Sequence, residues 1–492
     1  MNGSMRTAAL SRSMLLPLAL AQFIASYAAT NMNVAVSSIA NDLGTTVTGV
    51  QTAITLFTLT MAALMIPGSK LTDIWGRKTC FRLGLIVYGL GALIAAFAPA
   101  MGAMIVGYSL LEGVGSALMI PPIYILITVS SSDLSSRARA FGAVSAAAGI
   151  GAAAGPLIGG LVTTGISWRA SFVLQVLIVA FIVVLSRRIA DPGVQGARPQ
   201  FDFVGAIISA AGLFFIVLGI LQSGTYGWFR ARQDFALGKV VVIHQGGVSP
   251  VWLFVGIGGL LLLWFFLHVR SRERAGREPL VSISLFRNRT SNLGLLTQNI
   301  QWLILQGAFF VISVFLQEVR GYNAIETGLI LTPATIGILL SSAMAGRLAR
   351  RRPQRFLIRR GFAVTVVGII LLLLLASATS NVATFIPGLL LMGLGVGVML
   401  TASVNVVQSS FPEREQGEIS GLSRSVSNLG SSLGTAIVGS VLVAATAPGG
   451  GPFAMALIAL VVIGLIGLGA AMLLPSAPVA PGSTDKVGAE AV

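Results

Sequence analysis

Charge is what this chain has least of. Only 10% of its 492 residues are Asp, Glu, Lys or Arg, against roughly a quarter in a soluble domain. With 55% hydrophobic residues and a mean hydropathy of +0.89, that shortage excludes a water-soluble fold and implies a polytopic membrane protein. Cys80 is the single cysteine, so neither an intrachain disulfide nor a cysteine-based metal cluster can form, and no metal site is expected. The two histidines, His244 and His268, fall in a loop and at a helix end. Neither is placed to serve Ser432, whose GSSLG context (Gly430 to Gly434) matches the nucleophile-elbow pattern but lies inside an apolar helix. No GxxxxGK[ST] phosphate loop occurs, which argues against direct use of ATP. An enzyme is therefore not expected. The net charge of +16 does not imply a nucleic-acid partner, because the basic residues lie in short loops between apolar runs and not on one soluble face.

What the chain does have is apolar runs of about 20 residues, the length that spans a bilayer. Fourteen begin near Met14, Val47, Cys80, Gly102, Ala138, Arg169, Phe203, Val251, Leu293, Ile325, Leu357, Ala383, Gln416 and Pro452, and are numbered as helices 1 to 14. The first lacks a small-residue cleavage site and reads as a retained helix. With both termini in the cytoplasm, 26 of the 32 Lys and Arg fall in inner segments, 5 in outer ones, and Arg424 lies inside helix 13. That asymmetry sets the orientation.

The run Gly149 to Gly160 (GIGAAAGPLIGG) carries glycine at Gly151, Gly155, Gly159 and Gly160 and a proline at Pro156. Small residues at every fourth position allow another helix to approach to backbone contact, and Pro156 favours a bend. Gly142, Gly151, Gly155 and Gly160 recur 279 residues later as Gly421, Gly430, Gly434 and Gly439, so the chain contains two copies of one unit. The repeat sets helices 1 to 6 against helices 9 to 14. The expected organisation is a cytoplasmic N-terminus (1–13), a six-helix bundle (14–190), inserted helices 7 and 8 (203–269) with a long outer loop (222–250), a cytoplasmic linker (270–292), a second six-helix bundle (293–474) and a disordered tail (475–492). In the outer loop, KVVVI at Lys239 to Ile243 followed by Gly246 and Gly247 suggests a short hairpin. Two repeated bundles around a midplane site are the architecture of secondary transporters.

Glu112 is the one acid well inside an apolar run, about 15 Å deep in a hydrocarbon core about 30 Å thick. A carboxylate there is costly unless paired or neutralised, and intramembrane acids are often proton carriers. Tyr108, Gly115, Ser116 and Met119 share its face at helical spacing, which suggests a cavity lining. The alternative is a permanently protonated Glu112 bonded to Tyr108 or Ser116 as interhelical glue. Arg424 is the one basic residue comparably embedded, on a stripe of Ser420, Arg424, Asn428, Ser431 and Thr435; it corresponds to Ser145 in the first copy. It either works inside the protein or snorkels to the inner surface. Neutral polar stripes also mark helix 1 (Gln22, Ser26, Thr30, Asn33, Ser37), helix 9 (Asn299, Trp302, Gln306, Phe310, Ser313, Gln317) and helix 12 (Thr401, Asn405, Gln408). For any one of these residues, polar helix packing is the simpler reading.

The GIGAAAGPLIGG stretch resembles the antiporter motif of the major facilitator superfamily, and Lys70 to Lys78 (KLTDIWGRK) resembles its loop between helices 2 and 3. TNMNVA from Thr30, WRASFVLQV from Trp168, PLVSISLFRNR from Pro279 and FLQEVRGYNAIETGLILTP from Phe315 are similar to the fourteen-helix drug:proton antiporter branch. The resemblance implies an all-α fold of two pseudo-symmetric bundles plus two inserted helices. It implies alternating access powered by a proton gradient, with no cofactor. It places helices 1, 4, 9 and 12 around a cavity, making Gln22, Ser26, Thr30, Asn33, Tyr108, Met119, Asn299, Trp302, Gln306, Phe310 and Asn405 candidates for binding a small amphipathic substrate. Glu112 would be the coupling acid, and Gly151, Gly155, Pro156, Gly159 and Gly160 the hinge. Helix 13 would border the helix 2–3 loop, so that Asp73, Arg77, Lys78 and Arg424 form a cytoplasmic latch; the alternative is local pairing of Asp73 with Arg77 or Lys78. A monomer in a bacterial cytoplasmic membrane, with lipid as its surroundings, is the implied setting.

The chain departs from that pattern. Ser69 stands where glycine is usual, Ala28 where helix 1 usually has an aspartate, and Ser109 where helix 4 usually has an arginine. Either the proton site has moved to Glu112 or coupling is lost or altered. Without the helix 1 acid, cationic drugs are less natural substrates. The other readings of the same sequence are a proton-independent lipid or small-molecule carrier and a non-transporting scaffold or sensor of the same fold.

Overall fold

The computed structural model describes residues 12–130, 134–187, 189, 200–237, 240–349, 352–377, 379–412, 415–444 and 451–475. Most of the expected terminal tails and of the link between helices 6 and 7 lies outside the described residues. Fourteen long helical segments follow in order: α1 (Met14–Asp42), α2 (Val47–Trp75), α3 (Arg77–Ala96), α4 (Met101–Ile127), α5 (Leu134–Gly165), α6 (Trp168–Ser186), α7 (Phe203–Tyr226), α8 (Pro250–Arg274), α9 (Arg289–Val319), α10 (Ala324–Ala349), α11 (Gln354–Leu375), α12 (Phe385–Gln408), α13 (Gln416–Ala444) and α14 (Gly451–Met472). Among the described residues, 13 helices are long and apolar enough to cross a membrane. The remaining one, α13, has the length but carries Glu418, Arg424 and a series of serines.

Local signals account for the boundaries. The Thr46 side chain accepts a bond from Gly49 N at the start of α2, and Gly76, at φ +91°, ends α2 and starts α3 in a single residue. A side chain at that angle would be strained, which explains the glycine in KLTDIWGRK. Asp202 caps α7 through Gly205 N, and Ser249 followed by Pro250 opens α8. The outer loop forms its hairpin, Phe235–Leu237 antiparallel to Val240–Ile243.

Helix neighbours repeat between the halves. In the first bundle α1 packs on α5, α2 on α4, and α3 on α4 and α6; in the second α9 packs on α13, α10 on α12, and α11 on α12 and α14. The bundles meet along two seams, α2 with α13 and α10 with α5, which the same repeat exchanges. The inserted pair breaks the symmetry: α8 packs on α7, which lies against both α2 and α13 and receives a bond from Ser440 Oγ to Ile220 O at 3.2 Å.

In hydrocarbon no hydrophobic force drives helices together, so small residues that let backbones touch do much of that work. A Cβ added at Gly84 or at Gly115 would lie 2.7 Å from the other's carbonyl oxygen, and one at Gly91 or Gly107 would lie 2.6 or 2.7 Å from its partner's. The second bundle repeats this between α11 and α12: Gly361 with Gly395 at 2.9 and 2.5 Å, Gly368 with Gly388 at 2.7 and 2.8 Å. Replacement of Gly115 or Gly395 by valine should lower stability by about 1–3 kcal/mol or more. Gly149→Ala, where an added Cβ meets nothing within 4 Å, should be neutral. Thermal unfolding of the purified variants checks this, and equal losses at all three positions would contradict the packing described.

Candidate functional site

The helices run between a basic face, where α1 begins and the α2–α3 turn lies, and an opposite face bearing the hairpin. Toward the opposite face the bundles are sealed across the axis. Gln306 Nε2 donates to Ala29 O at 2.9 Å, Gln317 Nε2 to Asn33 O at 3.3 Å, and Ser37 N to Gln317 Oε1 at 3.1 Å. Ser37 Oγ also bonds the Glu318 carboxylate. Phe310 of α9 is buried among first-bundle side chains, and Val34 of α1 among those of the second. Both side-chain atoms of Asn33 are buried without a hydrogen-bond partner.

Toward the basic face the two seams differ. The α2–α13 seam stays joined along its length: Gln51 to Thr435 O at 3.1 Å, Ser432 to Thr55 O at 3.1 Å, Ser69 to Gly417 O at 3.4 Å and Lys70 Nζ to Glu418 Oε1 at 2.7 Å. The α5–α10 seam holds at Thr335 to Ala153 O, 2.8 Å, and at Ile325 N to Thr164 Oγ1, 2.9 Å. Closer to the basic face, Gly142, Ala146 and Ile150 on α5 and Ala343 and Met344 on α10 are exposed. Along the axis on this side, Gln22 and Ser26 are buried on α1, Asn299 and Trp302 are half-buried on α9, and Asn405 on α12 is exposed.

The expected hinge glycines serve mainly packing within the first bundle. Gly151 lies against the backbone of Phe23, Gly155 against Thr30 and Gly159 against Asn31, all on α1. Gly160 crosses to Ala324 on α10, and Pro156 O faces Gly328. Thr30 therefore faces α5, and its hydroxyl bonds Ser26 O and Tyr27 O within its own helix.

Glu112 is completely buried, at the end of a stretch of wide, π-type turns from Ile105 to Glu112. Its face does not open on the axis. Gly91 of α3 abuts the Glu112 backbone nitrogen and Gly84 abuts Met119, while Tyr108, stacked on Phe57 at 4.6 Å, donates to Ala28 O at 3.1 Å. Tyr88 lies beside the carboxyl, but its proton is directed to Gln175 Oε1 at 2.5 Å. Neither Glu112 oxygen, nor Ser116 Oγ, has a partner at hydrogen-bonding geometry. The expected bond from Ser116 or Tyr108 to Glu112 is thus absent among the described residues. Ser109 Oγ bonds Ala53 O at 2.8 Å.

The latch residues are arranged differently from the expected set. Arg424 is half-buried and reaches across to α4, where it bonds the Tyr124 hydroxyl and stands 5.1 Å from its ring centroid. Tyr124 in turn donates to Gln22 Oε1 at 3.3 Å. Lys78 caps carbonyls at the end of α6, Arg187 O at 3.2 Å and Ile189 O at 2.7 Å. Asp73 lies near Lys70 and Arg77. Lys70 forms an ion pair with Glu418 that crosses between the bundles, and the other Glu418 oxygen accepts from Ser282 N of the linker at 3.4 Å. Both residues sit at helix-end positions whose charges also read as ordinary surface groups, so only the tertiary fold reveals the pair.

The sequence profile of the Major Facilitator Superfamily matches residues 18–242 and 235–435. The chain is 27% identical over 421 residues to "Probable actinorhodin transporter" of Streptomyces coelicolor, covering 84% of this chain and 69% of that one. It is 28% identical over 430 residues to "Puromycin resistance protein pur8" of Streptomyces alboniger, covering 87% and 81%. It is 26% identical over 413 residues to "Multidrug resistance protein Stp" of Mycobacterium tuberculosis, covering 84% and 72%. The crystal structure of the human organic anion transporter MFSD10 (TETRAN) superposes with a TM-score of 0.57 at 14% identity, over 94% of this chain and 99% of that one, a likeness of fold alone.

Lys70 and Glu418 retain 17% and 28% side-chain exposure, so the pair is partly screened and should contribute about 0.5–1 kcal/mol. Lys70→Glu and Glu418→Lys should each lower stability, and the double exchange should recover part of the loss. Simple additivity in thermal unfolding would show that the contact carries no coupling.

Proposed function

We propose, from the premise that this chain belongs to the Major Facilitator Superfamily, that it exports amphipathic small molecules by alternating access, coupled to protons. It is a multi-pass membrane protein and not an enzyme. Relatives named as antibiotic and multidrug resistance proteins support the export reading. The basic face is then cytoplasmic, with both termini on that side of a cell membrane, and the unit is a monomer that needs no cofactor. Closure at the opposite face, with the α5–α10 seam parted near the basic face, corresponds to an inward-facing state from which cargo enters from the cytoplasm or the inner leaflet.

One observation carries the proton assignment: a fully buried carboxyl whose two oxygens have no hydrogen-bond partner. In a low-dielectric site such a group is tolerated as the neutral acid, and any charged form needs a new partner or access to water. Tyr88 and Gln175 beside it form a polar contact between α3 and α6, a route by which a rearrangement of the bundle reaches the acid. A second reading, a carrier that uses no proton, is favoured by the position of Glu112 in the α3–α4 packing, away from the axis.

Efflux of fluorescent amphipathic dyes from vesicles holding the wild type or Glu112→Gln, with and without a pH gradient, tests the proposal. Acceleration of the wild type by the gradient and its loss in the variant, with dye binding retained, is the expected result. Equal transport whatever the gradient would assign Glu112 to packing, and no flux of any dye in the wild type would remove the export reading.

A further inference from the structure

Among the described residues, Arg424 meets no acid: no carboxylate forms an ion pair with its guanidinium. Glu418, on the same helix, is held by Lys70 and Ser282, and Glu112 is enclosed in the α3–α4 contact. What meets Arg424 is neutral: the Tyr124 hydroxyl, and behind it Gln22 and Ser26 in a chain of bonds at 3.3 and 3.5 Å. One turn further along α13, Asn428 Nδ2 is buried without a partner. A guanidinium presents five N–H donors, and Tyr124 accepts from Nη2. Held in the space between two bundles, about two turns into a membrane helix, such a cation is costly unless it meets an anion.

We propose that Arg424 receives the acidic group of the cargo, which is therefore an amphipathic organic anion, such as a carboxylate or sulfonate on an apolar, ring-bearing body. This rests on the export reading and narrows its substrate class. The guanidinium fork matches two carboxylate oxygens, the free Asn428 amide adds a donor, and half-buried Trp302 on α9 offers an apolar face to the body. Ala28, where helix 1 usually has an aspartate, leaves no acid at that position to repel an anion. An interior-negative membrane potential drives an anion outward, so export of this cargo has a driving force independent of the proton. A structural tie between α13 and α4 needs only the Tyr124 bond and predicts no preference for charge.

The test is equilibrium binding of 1-pyrenebutyrate, 1-pyrenebutanol and 1-pyrenebutylamine, which share a body and differ in charge, to the purified full chain by fluorescence. Wild type should bind the carboxylate at least tenfold more tightly than the alcohol and the amine most weakly. Arg424→Gln should abolish that preference without weakening the alcohol, Arg424→Lys should keep part of it, and Tyr124→Phe, which frees the guanidinium, should keep or increase it. Equal binding of the three, tighter binding of the amine, no binding of any, or an unchanged preference in Arg424→Gln would each overturn the proposal. Flux of the same probes in sealed vesicles separates the two readings. Anion-selective binding without flux defeats export and leaves the charge assignment, whereas flux confined to the neutral or cationic probe defeats the charge assignment and leaves export.

Discussion

Everything in this molecule depends on backbone meeting backbone at glycine. The hydrocarbon around a membrane helix is as apolar as its side chains, so two helices remain together through packing and a few internal hydrogen bonds. The reciprocal glycine contacts between α3 and α4, and again between α11 and α12, bring each pair to that limit. The same approach encloses Glu112, since Gly91 abuts its backbone nitrogen and the residue is completely buried. A second set, Gly151, Gly155 and Gly159 of α5 packed against α1, with Gly430 and Gly434 of α13 packed against α9, locks the helices that border the axis.

On this symmetric frame the functional features are asymmetric. Among the described residues, a Cβ added at Gly142 meets nothing, whereas its counterpart Gly421 packs on Ser69; the two seams therefore differ near the basic face. Helix α7 lies across the joined seam, touching both bundles, and the linker after α8 ties in through Ser282 to Glu418 and through Glu273 Oε1, which accepts from Ile283 N at 2.8 Å. The inserted pair thus reinforces α2–α13; in the alternating access proposed above, that is the side about which the bundles would turn, and α5–α10 the side that would open. Arg424, with serine at the matching position of the first half, is half-buried and reaches from α13 to Tyr124 on α4.

The helices and the repeat were legible in the sequence because a bilayer imposes a length on every apolar run. Even α13, too polar for a hydropathy count, was placed by the register of Gly421, Gly430, Gly434 and Gly439. The second strand of the hairpin was legible from the VVVI run, but its partner strand, Phe235–Leu237, was not. The partners were less so. Helical spacing put Tyr108, Glu112, Ser116 and Met119 on one face, but spacing does not say what that face meets, and the wide turns before Glu112 shift its phase relative to the first part of α4. Glycines 84, 91, 361 and 368 were visible as residues and not as contacts, since their meaning depends on α4 and α12. The expected latch grouped Asp73, Arg77, Lys78 and Arg424, with Asp73 brought towards the start of α13; Asp73 lies near Glu418 there, while Arg424 reaches α4. A long side chain on a helix samples several neighbours, and Tyr124 on α4 and the Lys70–Glu418 pair emerge only when α13 is laid against α2 and α4.

The central claim is that the two ends of the α5–α10 seam open in alternation. Spin labels on exposed positions of a Cys80→Ala chain, one pair at Ala146 and Met344 near the basic face and another at Gly165 and Asn323 near the opposite face, report both ends by pulsed dipolar distance measurement. As pH or cargo is varied, the first distance should shorten while the second lengthens. Distances that stay fixed, or that change in the same sense at both ends, would contradict the account.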